Sequence, residues 1–92
     1  MKEENRYVIS VKAKGDIKNI AKFTIQKFGK EQSIRYGEGL KDVLIKLTAN
    51  PEIGRRYIPI KNKMLLRYKY KAHVIFYYPT NTGIFVVRVL GG

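Results

Sequence analysis

Hydrophobic and polar positions change their spacing several times along the chain. YVISV, from Tyr7 to Val11, is rich in β-branched and aromatic residues and predicts a first strand. From Asp16 to Gly29 the apolar residues recur at helical spacing, and a second helical stripe runs from Lys30 to Thr48. Pro51 ends the second stripe, because a residue that precedes proline is pushed out of the α region. The pattern therefore predicts one strand followed by two helices.

The two predicted helices are separated by only one or two residues. So short a connection favours an antiparallel helical hairpin. Gly37 and Gly39 fall inside the second helix, where each glycine costs about 1 kcal/mol relative to alanine. The glycines indicate either close packing against the first helix or a local bend, and we favour close packing.

The C-terminal half of the chain changes to a period of two. After a loop from Pro51 to Asn62, the segments MLLRYKY, HVIFYY and GIFVVRVL predict three strands, and the last two are separated by a turn from Pro79 to Gly83. The predicted order is β-α-α-β-β-β. We expect an α+β fold in which the helical hairpin packs on one face of a small antiparallel sheet, as a single domain over residues 1–92.

Composition narrows the chemistry that this fold could carry. There is no cysteine, which excludes disulfides, thiolate metal sites and a cysteine nucleophile, and one histidine cannot form a usual zinc site, so we expect no metal and no cofactor. No stretch approaches the roughly 18 apolar residues of a membrane span, and we expect a cytoplasmic protein with no membrane partner. Nineteen Lys and Arg against seven Asp and Glu give a net charge of +12. Such an excess should attract a polyanion or an acidic protein.

The only histidine, His73, opens the second of the three predicted C-terminal strands. It could act as an acid or base in metal-free RNA cleavage, or it could be one more strand residue. If Lys71 and Ala72 form a two-residue turn, His73 pairs with Tyr70 and shares a face with Tyr68, Ile75 and Tyr77. Arg67 and Lys69 then point to the other face, and a one-residue slip would reverse this. Because a histidine that opens a strand more often makes local hydrogen bonds than performs chemistry, we favour a strand residue.

Two other groups of residues each allow two interpretations. Tyrosines alternate with cations from Arg67 to Lys71, which would suit stacking on single-stranded nucleic acid. Alternating tyrosines also cover a half-buried sheet face, and we favour that interpretation. Arg55 and Arg56 follow the second helix and could bind phosphate or an acidic segment, or could belong to an ordinary exposed loop.

Four segments carry a resemblance to a known family. They are FGKEQSIRY (Phe28 to Tyr36), NPEIGRR (Asn50 to Arg56), HVIFYY (His73 to Tyr78) and GIFVVRVL (Gly83 to Leu90). From Tyr7 to Leu90 the chain resembles the ParE branch of the ParE/RelE superfamily, the toxins of bacterial type II toxin-antitoxin modules. The resemblance implies a RelE-like fold, a cognate antitoxin, a role in plasmid stabilisation and inhibition of DNA gyrase. For the RelE branch it implies instead cleavage of mRNA on the ribosome.

The two branches call for different residues. An RNA-cleaving toxin would use a set of acid, base and cationic side chains, here His73, Arg67, Lys69, Tyr77 and Arg88. RNA-cleaving relatives also supply an Arg or Tyr after the last strand, where this sequence has only Gly91 and Gly92. We therefore expect a gyrase inhibitor without chemistry of its own, with the ribosome-dependent nuclease as the alternative.

Neutralisation implies an acidic partner. We expect a partly disordered antitoxin tail that folds on binding, covers apolar surface on the hairpin and sheet, and forms a hetero-oligomer with the toxin. The residues expected to bind the target or the antitoxin are Arg55, Arg56, Arg67, Lys69, Lys71, Lys27, Lys30, Arg35, Lys41 and Lys46.

Overall fold

The structure is a computed structural model and describes residues 6–91. Its two helices and five strands follow one another along the chain, with a short 3₁₀ turn between the second helix and the second strand. They are β1 (Arg6–Ile9), α1 (Val11–Phe28), α2 (Lys30–Ala49), the 3₁₀ turn (Pro51–Ile53), β2 (Arg55–Ile60), β3 (Lys63–Tyr70), β4 (His73–Thr80) and β5 (Gly83–Gly91).

The predicted α+β architecture is confirmed, with two corrections to the sheet, one to the direction of β1 and one to the number of strands. The five strands lie in the order β1-β5-β4-β3-β2. The hairpin-connected strands β2 to β5 are antiparallel, whereas β1 runs parallel to β5. The sheet is therefore mixed rather than antiparallel. The difference arises because β1 and β5 are not joined by a tight turn: the helical hairpin and strands β2 to β4 lie between them in the chain.

The first helix begins five residues earlier than predicted. The strand prediction was wrong at Ser10 and Val11, because Ser10 is the N-cap of α1. Its Oγ accepts the N–H of Ala13 at 2.9 Å, and its hydroxyl donates to the carbonyl of Val87 at 2.7 Å. Serine at this position satisfies a backbone N–H that the first helical turn leaves free. Ser10 thus both starts the helix and ties it to β5.

Strand β2 lies within the segment that was predicted to be a loop. All six residues from Arg55 to Ile60 are exposed, so they show no alternation of apolar and polar positions. The pairing with β3 also shifts register between Arg56 and Ile58, which leaves Tyr57 in a bulge. Pro59 argued against a strand, but proline is tolerated on an edge strand, and β2 forms one edge of the sheet.

The core lies between the helical hairpin and one face of the sheet. Leucines of α2 meet alternate residues of β3, β4 and β5, whose side chains all point to the same side of the sheet. The buried residues are Ala13, Leu40, Leu44, Leu47, Leu66, Tyr70, Ile75, Tyr77, Ile84, Val86 and Val89. The opposite face, which we call the open sheet face, is covered by no element within residues 6–91.

The glycines of α2 do not have the role that the sequence suggested. A Cβ on Gly39 would lie 2.1 Å from the hydroxyl oxygen of Tyr70, so this glycine makes room for a tyrosine of β3 and not for α1. A Cβ on Gly37 would meet nothing within 4 Å. The prediction of close helix-helix packing at these two positions was therefore wrong. Gly29 alone joins the helices, at φ 97°, in a conformation that favours glycine.

Neither helix of the described chain is long and apolar enough to cross a lipid bilayer.

Candidate functional site

His73 is held on the helix side of the sheet. It pairs with Tyr70 across the turn, as the two-residue turn predicted. Its Nδ1 lies 2.6 Å from the hydroxyl oxygen of Tyr36 in α2, and the two rings meet edge to face. The hydroxyl of Tyr70 donates to the backbone carbonyl of Tyr36 at 3.0 Å. These three side chains connect α2 to the β3-β4 turn.

Burial keeps this cluster neutral. Desolvation raises the pKa of Tyr36 to about 12, and it lowers the pKa of His73 below its ordinary value. When Nδ1 is unprotonated, it accepts a hydrogen bond from the hydroxyl of Tyr36. An imidazolium would have to donate from both nitrogens, so the Tyr36 hydroxyl would lose its acceptor. Burial and this hydrogen bond therefore both favour the neutral form of His73.

The depressed pKa of His73 predicts a specific pH dependence of stability. The unfolded chain binds a proton at the ordinary histidine pKa of 6.5, whereas the folded chain does so only at lower pH. The contribution of His73 to stability is therefore complete above pH 6.5 and is lost as the pH falls from there to the folded pKa. Thermal unfolding of the wild type and of His73→Gln between pH 8 and 5 tests this. We expect a smaller fall in the variant, and parallel curves would contradict the assignment.

Arg88 is held by a carboxylate of α1. Its Nε and Nη2 each donate to an oxygen of Asp16 at 2.8 Å, and the N–H of Val89 donates to the same carboxylate at 2.9 Å. The hydrogen bond from Arg88 is the largest cause of the lowered pKa of Asp16, and it raises the pKa of Arg88 in turn. This ion pair joins the start of α1 to the end of β5.

Tyr77 lies in the core, and its hydroxyl both donates and accepts a hydrogen bond. The side chain has no exposed surface, its hydroxyl donates to the carbonyl of Pro51 at 2.8 Å, and it accepts the N–H of Gly54 at 2.9 Å. The contact fixes the segment between α2 and β2. Tyr77 is therefore bonded within the fold and is not directed at solvent.

The five residues proposed for RNA cleavage do not converge. His73 and Tyr77 point towards the helices, whereas Arg67 and Lys69 lie on the opposite face, paired with Phe76 and Val74. Arg88 is held by Asp16 of α1. An acid, a base and cations around one phosphate would need to lie on one side of the sheet.

Arg67 and Lys69 instead contribute to a basic pocket. The pocket has a volume of about 430 Å³ and lies where β3 extends beyond the start of β2. Arg55 and Arg67 are direct cross-strand neighbours, a like-charged pairing that is unfavourable unless an anion lies between them. The basic pocket is lined by Ile53, Arg55, Arg67, Tyr68 and Lys69.

The cations of this pocket lack carboxylate partners among the residues that the structure describes. The ion pairs within residues 6–91 are Asp16 with Arg88 and Glu31 with Arg35. Lys46 adds a further charge nearby, since its Nζ donates to the hydroxyl of Tyr68 at 3.2 Å. An exposed site with several positive charges and no acid is suited to binding phosphate or carboxylate groups.

The other cations predicted to bind a partner are spread over the surface. Arg56 lies on β2, on the side of the sheet that faces the helices, and Lys71 lies in the β3-β4 turn. The hairpin carries the remainder, all exposed: Lys27, Lys30, Arg35 and Lys41. The basic residues thus lie on both faces of the sheet, in the β3-β4 turn and on the helical hairpin.

An apolar groove along β1 was not predicted from the sequence. One section, of about 190 Å³, lies between β1 and the hairpin, and a second, of about 320 Å³, continues beside the C-terminal half of α2. Tyr7 lines both sections, and Lys41 lies at the first. The groove is formed by elements far apart in the chain, so only knowledge that β1 is an edge strand could have indicated it. Its lining residues are Arg6, Tyr7, Ile9, Ile17, Gly37, Leu40, Lys41, Leu44, Ile45, Thr48 and Ala49.

The fold is that of a small α+β domain with a helical hairpin on one face of a mixed sheet. A solved structure described as "Chromosomal ParDE TA system from P. aeruginosa" superposes on this chain with a TM-score of 0.74 and 12% sequence identity, covering 98% of each chain. At that identity the likeness establishes the fold alone. No curated protein matches the sequence.

The family follows from the sequence. The family model described as "ParE toxin of type II toxin-antitoxin system, parDE" matches residues 7–92. The chain belongs to this family, and it is a ParE-type toxin of a type II toxin-antitoxin system.

Proposed function

We propose that this ParE-type toxin acts in the cytoplasm by inhibiting DNA gyrase through non-covalent contact, and that a cognate acidic antitoxin neutralises it. Membership of the ParE family over residues 7–92 is the observation that carries the proposal. The geometry supports it, because His73, Tyr77 and Arg88 are engaged in bonds within the fold while the cations of the basic pocket are exposed.

The basic pocket is the proposed contact with the gyrase complex. Gyrase offers acidic surface and bound DNA, and a protein with a net charge of +12 gains association rate from long-range attraction. Arg55 and Arg67 can each form bidentate hydrogen bonds to a carboxylate or a phosphate. Salt should weaken inhibition, because it screens the same attraction.

The apolar groove along β1 is the proposed site of the antitoxin. An amphipathic segment could bury its apolar side against Tyr7 and Ile45, while its carboxylates meet the basic residues of the hairpin. Lys41 lies at the groove, and Lys46 is on the same helix. Apolar burial together with ion pairing would make the complex only partly sensitive to salt.

Supercoiling of relaxed plasmid by gyrase tests the proposal. The purified wild-type protein should inhibit the reaction at low salt, and prior addition of the cognate antitoxin should relieve the inhibition. The double variant Arg55→Gln/Arg67→Gln should require about tenfold more protein, since each exposed charge pair contributes up to about 1 kcal/mol. Lys14→Gln/Lys22→Gln on α1 is the matched control and should inhibit like the wild type.

Two results would overturn the proposal. Folded protein in excess over gyrase that leaves supercoiling unchanged at low salt would exclude gyrase as the target. Inhibition that both double variants lose to the same degree would show that total charge, and not the basic pocket, is responsible.

A further inference from the structure

The open sheet face carries a row of aromatic rings. Phe76 and Tyr78 lie on β4 between the fully buried residues of the helix side, so their rings point away from the helices. Tyr57 of β2 lies with its ring centroid 5.3 Å from that of Phe76, and Phe85 of β5 stacks on Tyr78 at 5.2 Å. Tyr57 is 50% exposed, and the other three rings are partly exposed.

Two of these rings have a cation positioned over them. The guanidinium of Arg67 is 5.8 Å from the ring centroid of Tyr57, and the Nζ of Lys63 is 5.0 Å from that of Tyr78. Arg55 and Lys69 extend the charge along β2 and β3 on the same face. Rings from β2, β4 and β5 thus lie beside cations from β2 and β3, and together they extend across four neighbouring strands.

No acid offsets this charge within the sheet segment. From Ile53 to Gly92 the sequence contains eight Lys and Arg and not one Asp or Glu. Within the described residues, Arg88 is the one member of these eight that a carboxylate contacts. Because this segment contains no acid, it stays positively charged at any pH at which lysine and arginine are charged.

We infer that the open sheet face binds single-stranded nucleic acid, with bases stacked on Tyr57, Phe76, Tyr78 and Phe85 and phosphates held by Arg55, Lys63, Arg67 and Lys69. Base-aromatic stacking combined with a basic track along the backbone is the general mode of single-strand binding. The tyrosines that alternate with cations in the sequence, Tyr68 and Tyr70, are not the stacking residues, because they face the helices. The rings come from strands β2, β4 and β5 instead.

The rings distinguish this ligand from other anions. A duplex presents phosphates and the edges of its base pairs, so its bases cannot stack on a flat ring surface. An acidic peptide has the charge but not the planar bases. A single strand offers both phosphates and free base faces, which match the cations and the rings of the open sheet face.

Fluorescence anisotropy with labelled oligonucleotides tests the inference without gyrase. We expect the wild type to bind oligo(dT) of about 12 nucleotides, and to bind it more tightly than a duplex of equal length. Tyr57→Leu should weaken binding by roughly fivefold or more, the loss expected for one stacked base. Arg67→Gln should reduce the dependence of log K on log salt by about 0.7, which corresponds to one lost phosphate contact. Both residues are exposed, so neither substitution should prevent folding, and circular dichroism checks this.

Matched controls lie on α1, away from the open sheet face. Phe23→Leu removes an aromatic ring that is 57% exposed, and Lys22→Gln removes one exposed charge. Both should bind oligo(dT) like the wild type. Oligo(dT) and oligo(rU) compared in parallel show whether DNA or RNA is preferred.

A single tryptophan provides a direct readout of stacking. The chain contains no tryptophan, so Tyr57→Trp introduces a unique fluorophore on the open sheet face. Stacking of a base on this indole should quench its fluorescence when oligo(dT) is added, and Phe23→Trp should show no such quenching. Charge attraction alone would not produce this difference.

Three outcomes would overturn the inference. They are equal affinity for duplex and single strand, equal losses in Tyr57→Leu and Phe23→Leu, and displacement of oligo(dT) by poly-glutamate of the same charge at the same concentration. The last would assign the face to an acidic protein. Gyrase inhibition without oligonucleotide binding would contradict this inference alone, and oligonucleotide binding without gyrase inhibition would contradict only the proposed target.

Discussion

Replacing Gly83 with alanine is expected to cause a larger loss of stability than any other change considered for this chain. Gly83 begins β5, where β1 pairs with it in parallel. A Cβ at Gly83 would lie 1.8 Å from the backbone carbonyl oxygen of Arg6, and a backbone atom cannot move aside as the end of a side chain can. The edge strand β1 would have to leave the sheet, together with the hydrogen bond from the N–H of Arg6 to the carbonyl of Thr82.

The expected loss is about 3–5 kcal/mol, at the upper end of what single substitutions cause. For a domain of this size, total stability is about 5–14 kcal/mol, so the midpoint of thermal unfolding should fall by more than about 12 °C. Circular dichroism and urea titration would measure the change. A fall below about 1 kcal/mol would contradict the close approach of β1 to β5.

Gly37→Ala is the matched control for Gly83→Ala. Gly37 lies inside α2, and a Cβ there would meet nothing within 4 Å. The same substitution should therefore raise stability by about 0.5–1 kcal/mol, because alanine loses less backbone entropy in a helix than glycine. A loss of stability in Gly83→Ala and a gain in Gly37→Ala would separate the effect of close contact from the effect of backbone freedom.

Tyr77→Phe is expected to cause the second largest loss. The substitution removes only a hydroxyl oxygen, but that oxygen links the carbonyl of Pro51 to the N–H of Gly54 inside the protein. Phenylalanine would leave both backbone groups without a partner, at a cost of about 2 kcal/mol. Thermal unfolding should show a midpoint lower by about 8–16 °C.

Tyr57→Phe is the control for the loss of a hydroxyl group. Tyr57 is half exposed on the edge strand β2, where water can bond to its hydroxyl. Its removal should change stability by less than about 0.5 kcal/mol. Equal small effects of the two substitutions would show that the segment from Pro51 to Gly54 does not depend on Tyr77.

Local pattern predicted the elements that are long and half-buried. The helix α2 was predicted to within one residue, because its leucines recur at a spacing that packing on a sheet requires. A two-residue turn at Lys71 and Ala72 was one of two registers that the sequence left open, and the structure has the pairing of Tyr70 with His73 that this turn implies. In both cases the residues that form the pattern lie within a few positions of one another in the sequence.

The errors arose where the signal was weak or came from elsewhere in the chain. Strand β2 is exposed on the sheet edge, so no burial imposed alternation on its sequence. The N-cap role of Ser10 was obscured by the β-branched residues around it. The roles of Gly39 and Gly54 depend on tyrosines more than 20 residues away, which no local pattern can show.

The candidate site, too, could be predicted from the sequence only in part. The sequence identified the cations Arg55, Arg67 and Lys69, since charge is visible without a fold. It could not show that Arg55 and Arg67 face each other, nor that Tyr57 and Phe76 lie beside them, because these contacts depend on strand pairing. It also could not show that His73 is bonded to Tyr36, 37 residues earlier.

The sequence by itself determined the class of fold, the family and the strongly basic character of this protein. These properties follow from periodicity, from family-specific segments and from composition, all of which are local or additive along the chain. The tertiary structure alone decided which side chains are available to a partner. It turned His73 and Tyr77 towards the helices, joined Arg88 to Asp16, and left the rings and cations of the open sheet face exposed. The physical reason is that exposure of a strand residue depends on which face the helices cover, and that is settled by contacts between residues far apart in the sequence.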